Sequence, residues 1–376
     1  MKHMPNYDLT YLTIDSLSEG VGSSQITPLI RKLSLEGLKI RLISFEKFLP
    51  STELQDSLIT SGVDWTYRPF GHRGIFGGTS RLIDMRRQIL PTNLIHARSD
   101  IPTAAAISKG HEKVLWDVRS LWADQKVIIN DSYGDKTLYK VYRKLGDFSA
   151  NNSLGMSTLT KAVVPILAAR NRALPKFRTV VATSVDTNLF VNQKNPPETF
   201  KALFSGTYNK FYDLEISRLF MDRLRKRISV ETHWARPFES ETDHLEVGET
   251  KVFLSTQKDM ADLIPLYNFG ISICKIDSGP SLKASMPTKI AEFLACGRPI
   301  VVNRGLGDMD ELIAKFDIGV IIDGNINSLD ESVDKLIELI SDKNTSDRCR
   351  FVAENYFSMD SGVRNYLEIY SKMLND

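Results

Sequence analysis

Thirteen short β-rich runs, most of them followed by a longer stretch of helical periodicity, constrain this chain more than any other feature. The first seven are "DLTYLTI" (8–14), "KIRLISF" (39–45), "VDWTYRPF" (63–70), "LIHARS" (94–99), "KVLWDV" (113–118), "GMSTLT" (155–160) and "FRTVVATS" (177–184). Helical segments such as "SQITPLIRKLSLEG" (24–37) and "KTLYKVYRKLGDFSANNS" (136–153) lie between them. This alternation is the βαβ grammar of a parallel sheet covered on both faces. Residues 191–200, "VNQKNPPETF", interrupt it with a polar, proline-paired linker composition. The grammar then restarts with "KALFSG" (201–206), "ISVETHW" (228–234), "TKVFLST" (250–256), "FGISICKI" (269–276), "RPIVVN" (298–303) and "DIGVIID" (317–323). Three helical segments follow, at 327–342, 345–355 and 359–374.

The expected fold is therefore α/β, with two Rossmann-like doubly wound domains facing a central cleft and a helical C-terminal tail. The expected boundaries are 1–190, a linker at 191–200, 201–358, and a C-terminal helix at 359–376 for which packing back on the first domain is one option. A length of 376 residues agrees with two domains. In open parallel sheets ligands bind outside the carboxyl ends of the strands, so the loops that follow strands are where function is sought.

Charge narrows the partners. Lys plus Arg total 48 against 46 for Asp plus Glu, a net charge of +2 that gives no footprint for nucleic acid. The three cysteines are widely spaced, with neither a metal-ligand pattern nor an even disulfide framework, which fits a reducing cytoplasm. The first residues lack a secretory apolar region, and no apolar run reaches the roughly 18–20 residues of a spanning helix. A cytoplasmic protein is expected. Composition leaves open a peripheral contact with the inner face of a membrane, and it leaves the oligomeric state undefined.

Five strand-to-loop junctions carry candidate chemistry. In "DSLSEGVGSSQ" (15–25), Gly20 and Gly22 allow a tight turn and close approach to a phosphate or sugar, although the third glycine of a dinucleotide fingerprint is missing. Glu46, near the end of the next run, is a loosely spaced candidate for its acidic partner. In "LIHARSDIP" and "LWDVRSLWADQ", His96, Arg98, Asp117 and Arg119 gather on two strand ends. Either they polarise a hydroxyl and hold an anion, or they form a salt bridge between neighbouring strands. Ser99 and Trp122 flank them. In "LFSGTYNKFYD", Gly206 permits approach and Lys210 offers a point charge. Arg236 ends the run before Pro237 and is a second candidate charge.

The fifth junction is "SMPTKIAEFLACGRPI" (285–300). A proline in the first turn costs nothing there, because its missing N–H has no intrahelical partner. The N–H groups that follow and the helix dipole make an anion site, to which Lys289 adds a charge. Glu292, one turn on, is placed to accept from paired sugar hydroxyls. Gly297 stops the helix so that the next strand can start.

These pieces, in this order, resemble the GT-B fold glycosyltransferases, in particular the large retaining family four (glycosyl transferases group 1). The likeness covers "GVGSSQITPLIRKLSLEGLKIRLISF", "IHARS", "WDVRSLWAD", "VVATSVDTNLF", "ALFSGTYNKFYD", "LIPLYNFGISI" and "PTKIAEFLACGRPIVV". The resemblance implies a donor site for a nucleotide-diphospho-sugar formed by Gly20, Gly22, Gly206, Lys210, Arg236, Ser285, Met286, Pro287, Thr288, Lys289 and Glu292, the last of these on the ribose. It implies an acceptor side with Asp117, Arg119 and His96 near the chemistry and Arg98, Ser99 and Trp122 on a glycan or lipid-linked acceptor. The family usually carries a further glutamate eight positions before Glu292, where this chain has Ala284. Front-face transfer with retention is implied, together with domain closure, and with the diphosphate neutralised by the helix tip and cations. No cofactor and no metal are then required. The expected activity is sugar transfer in envelope, capsule or exopolysaccharide synthesis. Two alternatives remain at this level: a degenerate subunit that binds donor or glycan as a scaffold, and a nucleotide-sugar 2-epimerase, which the scarcity of cleft histidines disfavours.

Overall fold

In this computed structural model, residues 6–130, 133–193, 197, 199–205, 210–236, 245, 248–253 and 256–376 are described. Seven strands form the first sheet: β1 (Tyr7–Leu12), β2 (Ile40–Glu46), β3 (Asp64–Pro69), β4 (Thr92–Arg98), β5 (Val114–Val118), β6 (Gly155–Thr158) and β7 (Phe177–Val180). Their order is β3-β2-β1-β4-β5-β6-β7, and every pairing is parallel. Six strands form the second: β8 (Lys201–Ser205), β9 (Glu231–Arg236), β10 (Glu249–Phe253), β11 (Phe269–Ser272), β12 (Ile300–Asn303) and β13 (Gly319–Ile322). They lie in the order β10-β9-β8-β11-β12-β13, again all parallel. Both are doubly wound α/β sheets of Rossmann type.

Every run expected to be a strand is one, because the central strands of a parallel sheet are apolar on both faces. All residues of β2, β5 and β12 are buried, whereas the edge strand β3 is largely exposed or half-buried. Most ends shift by one to four residues from the sequence pattern, and three of them are instructive. β7 stops at Val180, and Val181 already bonds back to Thr158 O at 2.8 Å. β12 starts only at Ile300, since Pro299 has no N–H for the ladder. β11 stops at Ser272, and the next residues pair instead with the segment after β8, through an antiparallel bridge between Tyr212 and Cys274.

The chain divides into two compact units: Met1–Ala123, Ser132–Val181 and Gly362–Asp376 in the first, and Asp124–Asp131 and Ala182–Ser361 in the second. The expected boundary at 190 therefore moves. Residues 182–190 pack in the second unit, where Arg350 donates to Phe190 O at 2.7 Å and Thr187 O at 2.8 Å, and Val185 N donates to Phe357 O at 2.7 Å. Part of the expected 191–200 linker lies outside the described residues. The core of the second unit centres on Trp234 stacked on Phe204, with ring centroids 4.4 Å apart, and on Phe220, Phe269 and Leu336. Ile43, Phe45, Ile95, Ala97 and Met85 hold the equivalent place in the first.

Candidate active site

In the second sheet the strand order reverses between β8 and β11, and that is where an open α/β sheet opens its crevice for ligands. The chain leaving β11 runs through Cys274 and a loop with Gly279 at φ 58° to the helix Thr288–Ala295. Ser285 Oγ donates to Ser281 O at 2.7 Å, and the Met286 carbonyl accepts from Thr183 Oγ1 at 2.5 Å. The peptide just before the helix is thus held from two sides. Pro287 is the N-cap at φ −58° and ψ 135°, one position earlier than the sequence pattern indicates, and it gives no side-chain cap. Thr288 is the first helical residue, so the dipole of a helix lacking a side-chain cap points out at Thr288 and Lys289.

The helix lies close to the sheet because β11 carries a glycine. A Cβ at Gly270 would come within 2.4 Å of the Phe293 ring. At its far end Gly297 takes φ 71°, and its N–H and that of Arg298 donate to Leu294 O at 3.0 Å and Phe293 O at 2.9 Å. This is the paired C-terminal motif that glycine makes inexpensive.

Lys289 is buried, with Nζ 4.2 Å from the centroid of the Tyr212 ring. Burial pushes its pKa down to about 7; the Cys274 thiol and Glu292 oppose that fall and Arg236 adds to it. Glu292 is half-buried, and burial pushes its pKa up to about 7 against the pull of Lys289. Arg236, at the end of β9, is buried with its guanidinium 5.3 Å from the Trp234 ring. Lys289, Glu292 and Arg236 thus lie within electrostatic reach of one another, beyond the carboxyl ends of β9 and β11. They form a buried site that favours a bound anion beside a hydrogen-bonding carboxylate. Tyr212 joins them only through the bridge to Cys274, a pairing with no sequence signal. Lys210 is exposed, and among the described residues it has no ion-pair partner. Gly206 lies outside the described residues. Ala284 is buried, its N–H donating to Ser281 O at 3.2 Å. Asp308-Met309-Asp310 has the Asp-x-Asp spacing of many metal-dependent transferases, but Asp310 turns both oxygens to the Gly305 N–H at 3.0 Å. Among the described residues no group of His, Cys, Asp and Glu could hold a metal ion.

In the first unit, His96, Arg98, Asp117 and Arg119 do come together, on the ends of β4 and β5, but in the interior. Asp117 and His96 are fully buried. The Asp117 carboxylate accepts from Ser157 Oγ at 2.8 Å and Tyr366 OH at 3.2 Å. His96 Nε2 faces its other oxygen at 3.3 Å, and Arg98 and Arg119 stand 3.6 and 3.5 Å away. Burial alone would raise the Asp117 pKa, yet Arg119, His96 and Arg98 together hold it well below the usual carboxylate range. Burial pushes His96 below its ordinary value, and its Nδ1 lies 2.5 Å from Tyr370 OH. A neutral ring with its proton on Nε2 accepts from Tyr370 OH at Nδ1 and turns the proton toward Asp117, although the Nε2 and Oδ2 atoms do not meet in hydrogen-bond geometry. In this arrangement neither Asp117 nor His96 can touch a substrate, which is the salt-bridge alternative of the two the sequence left open. Arg98 continues outward to Asp15, at 2.9 Å, on the loop after β1. That contact falls at the switch point of the first sheet, between β1 and β4. Ser99 is half-buried with φ 79°, its N–H on Asp117 O at 2.9 Å. Trp122 opens a helix and meets Tyr142 edge-on at 4.7 Å.

The glycine pair divides its work. Gly20, at φ 51°, is exposed with open space around it. Gly22 is a packing glycine, since a Cβ there would lie 1.8 Å from Ser16 O. Glu46 is not the acid of a dinucleotide site. Its carboxylate is buried and accepts from Ser16 Oγ at 2.6 Å, Leu17 N at 3.0 Å and Ser44 Oγ at 2.7 Å, which fastens the loop after β1.

Comparison with known proteins bears on the fold and on one segment of the sequence. The model of the family described as glycosyl transferases group 1 matches residues 231–355, the part that holds β9 to β13, Lys289 and Glu292. Solved structures match over nearly the whole chain. HepE of Anabaena in complex with UDP and glucose superposes with a TM-score of 0.69 at 12% identity, covering 97% of this chain and 100% of that one. Sucrose-phosphate synthase of Thermosynechococcus elongatus gives 0.68 at 10%, covering 98% and 99%. WaaG, a glycosyltransferase involved in lipopolysaccharide biosynthesis, gives 0.63 at 12%, covering 94% and 98%. No sequence relative is found among curated proteins. The segment 231–355 is similar to glycosyl transferases group 1, and the chain as a whole shares the fold of these solved structures. Its architecture is GT-B, as the sequence resemblance implies.

Proposed function

We propose that this chain transfers a sugar from a nucleotide-diphospho-sugar to a glycan or lipid-linked acceptor, with retention, in envelope, capsule or exopolysaccharide synthesis. The observation that carries the proposal is the meeting of an uncapped helix start, buried Lys289 and Arg236, and Glu292 at the switch point of the second sheet. The helix tip and the two buried cations neutralise a diphosphate as charge develops on it during bond cleavage, and their burial strengthens that stabilisation. Glu292 accepts from the ribose hydroxyls. Ser285, Met286, Pro287 and Thr288 line the approach, and Lys210 offers a further charge to the donor. Arg98, Arg119, Ser99 and Trp122 face the acceptor side, with Asp117 and His96 as positioning residues that brace the two arginines. The structures of HepE with UDP and UDP-glucose support a nucleotide donor.

A thermal-shift screen of nucleoside diphosphates and their sugars tests this, since a ligand of the native state raises stability by about 2.7 kcal/mol at one hundred times its Kd. Lys289→Ala should weaken the best ligand by about 10- to 100-fold, the range expected for losing a charge-assisted hydrogen bond. An unchanged shift in Lys289→Ala and Glu292→Ala would place the donor elsewhere. Transfer with labelled donor should survive chelation of divalent metals; its loss on chelation would overturn the metal-free mechanism. Ala284 favours a second reading, a donor-binding scaffold, and binding without transfer or hydrolysis across the panel would select it.

A further inference from the structure

The helix Gly74–Gln88 in the first unit has an outward face that does not suit water. Its buried residues are Gly77, Arg81 and Met85, spaced four apart. On the opposite side stand Phe76, Ser80, Ile83 and Arg87, at intervals of four, three and four residues, which is one stripe along a helix. Phe76 is 90% exposed and Ile83 43%. The stripe from 76 to 87 spans about 16 Å.

A second apolar pair lies beside it. Glu46 and Pro69 are partners in the β2–β3 ladder, and Phe70 N donates to Glu46 O at 2.8 Å. The loops that leave these two strands therefore start side by side. One carries Phe48 and Leu49, 73% and 81% exposed. The other is drawn back on the helix by Arg81, whose Nη1 donates to Phe70 O at 2.7 Å and His72 O at 2.8 Å. Phe76 follows in the first turn of that helix.

The charge around this apolar surface has one sign. Residues 68–87 contain five arginines and a single acid, Asp84, and Asp84 is bonded to Arg68 at 2.8 Å. Arg73, Arg86 and Arg87 are exposed, and among the described residues none of them has an ion-pair partner. The net charge of the whole chain, +2, hides this concentration. Exposed aromatic and aliphatic side chains rimmed by unpaired arginines suit an interface of acyl chains and anionic headgroups, where apolar insertion and charge attraction act together. Among the described residues no helix is long and apolar enough to cross a membrane, so the contact would be peripheral.

We propose that the outward face of the helix Gly74–Gln88, with the Phe48–Leu49 loop, docks this protein on an anionic lipid surface. This deepens the lipid-linked acceptor reading of the first unit, but it stands on the surface alone. The full chain should co-sediment with vesicles of equimolar phosphatidylcholine and phosphatidylglycerol and not with phosphatidylcholine alone, and salt should weaken the binding. Arg73→Glu with Arg86→Glu and Arg87→Glu, and separately Phe48→Ser with Phe76→Ser, should each lower binding by about ten-fold or more. Because these side chains are exposed, both variants should keep the melting temperature and the UDP-glucose thermal shift of the parent. Equal binding to both vesicles, or variants that bind like the parent, would overturn the proposal. So would a dimer in sedimentation velocity that Phe76→Ser disperses, since a second copy would then cover this face. A chain that binds anionic vesicles but no nucleotide supports the docking surface and sinks only the donor assignment.

Discussion

Lys289 and Glu292 titrate against each other's preferences, and binding should report both. Donor binding favours a charged lysine, whose free-state pKa burial has pushed down to about 7, so affinity is lost as pH rises through neutrality. It also favours an ionised Glu292, whose pKa burial has pushed up to about 7, so affinity is lost as pH falls through the same region. Calorimetric titration with the nucleotide-sugar selected by the thermal-shift screen should therefore give an optimum near neutral pH. Glu292→Gln should flatten the acid side and Lys289→Met the alkaline side; a profile that neither change alters would separate these residues from the donor. Asp117 makes the opposite prediction. Asp117→Asn leaves buried Arg119 without its carboxylate and Arg98 with Asp15 alone, which costs about 3–5 kcal/mol for a broken buried pair. Melting should fall by on the order of 10 °C. A variant with the parent's melting temperature and no transferase activity would instead make Asp117 catalytic. Both carboxylates were visible in the sequence, Asp117 as a polar residue at a strand end and Glu292 one turn into a helix. Their different roles were not, because Asp117 is enclosed by Tyr366, which stands 249 positions away.

At the level of elements, the donor helix depends on what lies beneath it. Gly270→Ala would drive a methyl group into Phe293 from the strand below. The helix must tilt or lift, at a cost of about 1–3 kcal/mol for overpacking. Lys289 and Glu292 ride on that helix, so affinity for the ligand that the screen selects should drop although neither residue is changed. Unaltered affinity together with lower stability would mean that strain is absorbed elsewhere. The helix start and stop were legible from Pro287, Lys289 and Gly297, since capping is a local matter. The antiparallel bridge that brings Tyr212 under Lys289 was not, because it joins two loop segments with no periodic pattern.

Across the whole molecule, the last fifteen residues belong with the first unit, not with the unit that precedes them in sequence. Val363, Tyr366, Ile369, Tyr370 and Met373 are buried there. Burying such side chains is worth about 1.5–3 kcal/mol each, and the five together rival the full stability of a typical domain. Deleting Gly362–Asp376 should unfold the first unit and leave the second, with its own Trp234-centred core, as a protease-resistant fragment. A truncated chain that melts in one transition at the parent's temperature would contradict this.

Secondary structure, strand count, two-domain grammar and the electropositive character of the helix tip follow from local sequence, because a strand buried on both faces must be apolar and a helix end must leave its first amides open. Only the tertiary structure decides which charged residues are reachable. Glu46, His96 and Asp117 look like site residues in a linear reading, yet loops and a helix remote in sequence close over them. Burial is a property of many segments at once, and no local pattern encodes it.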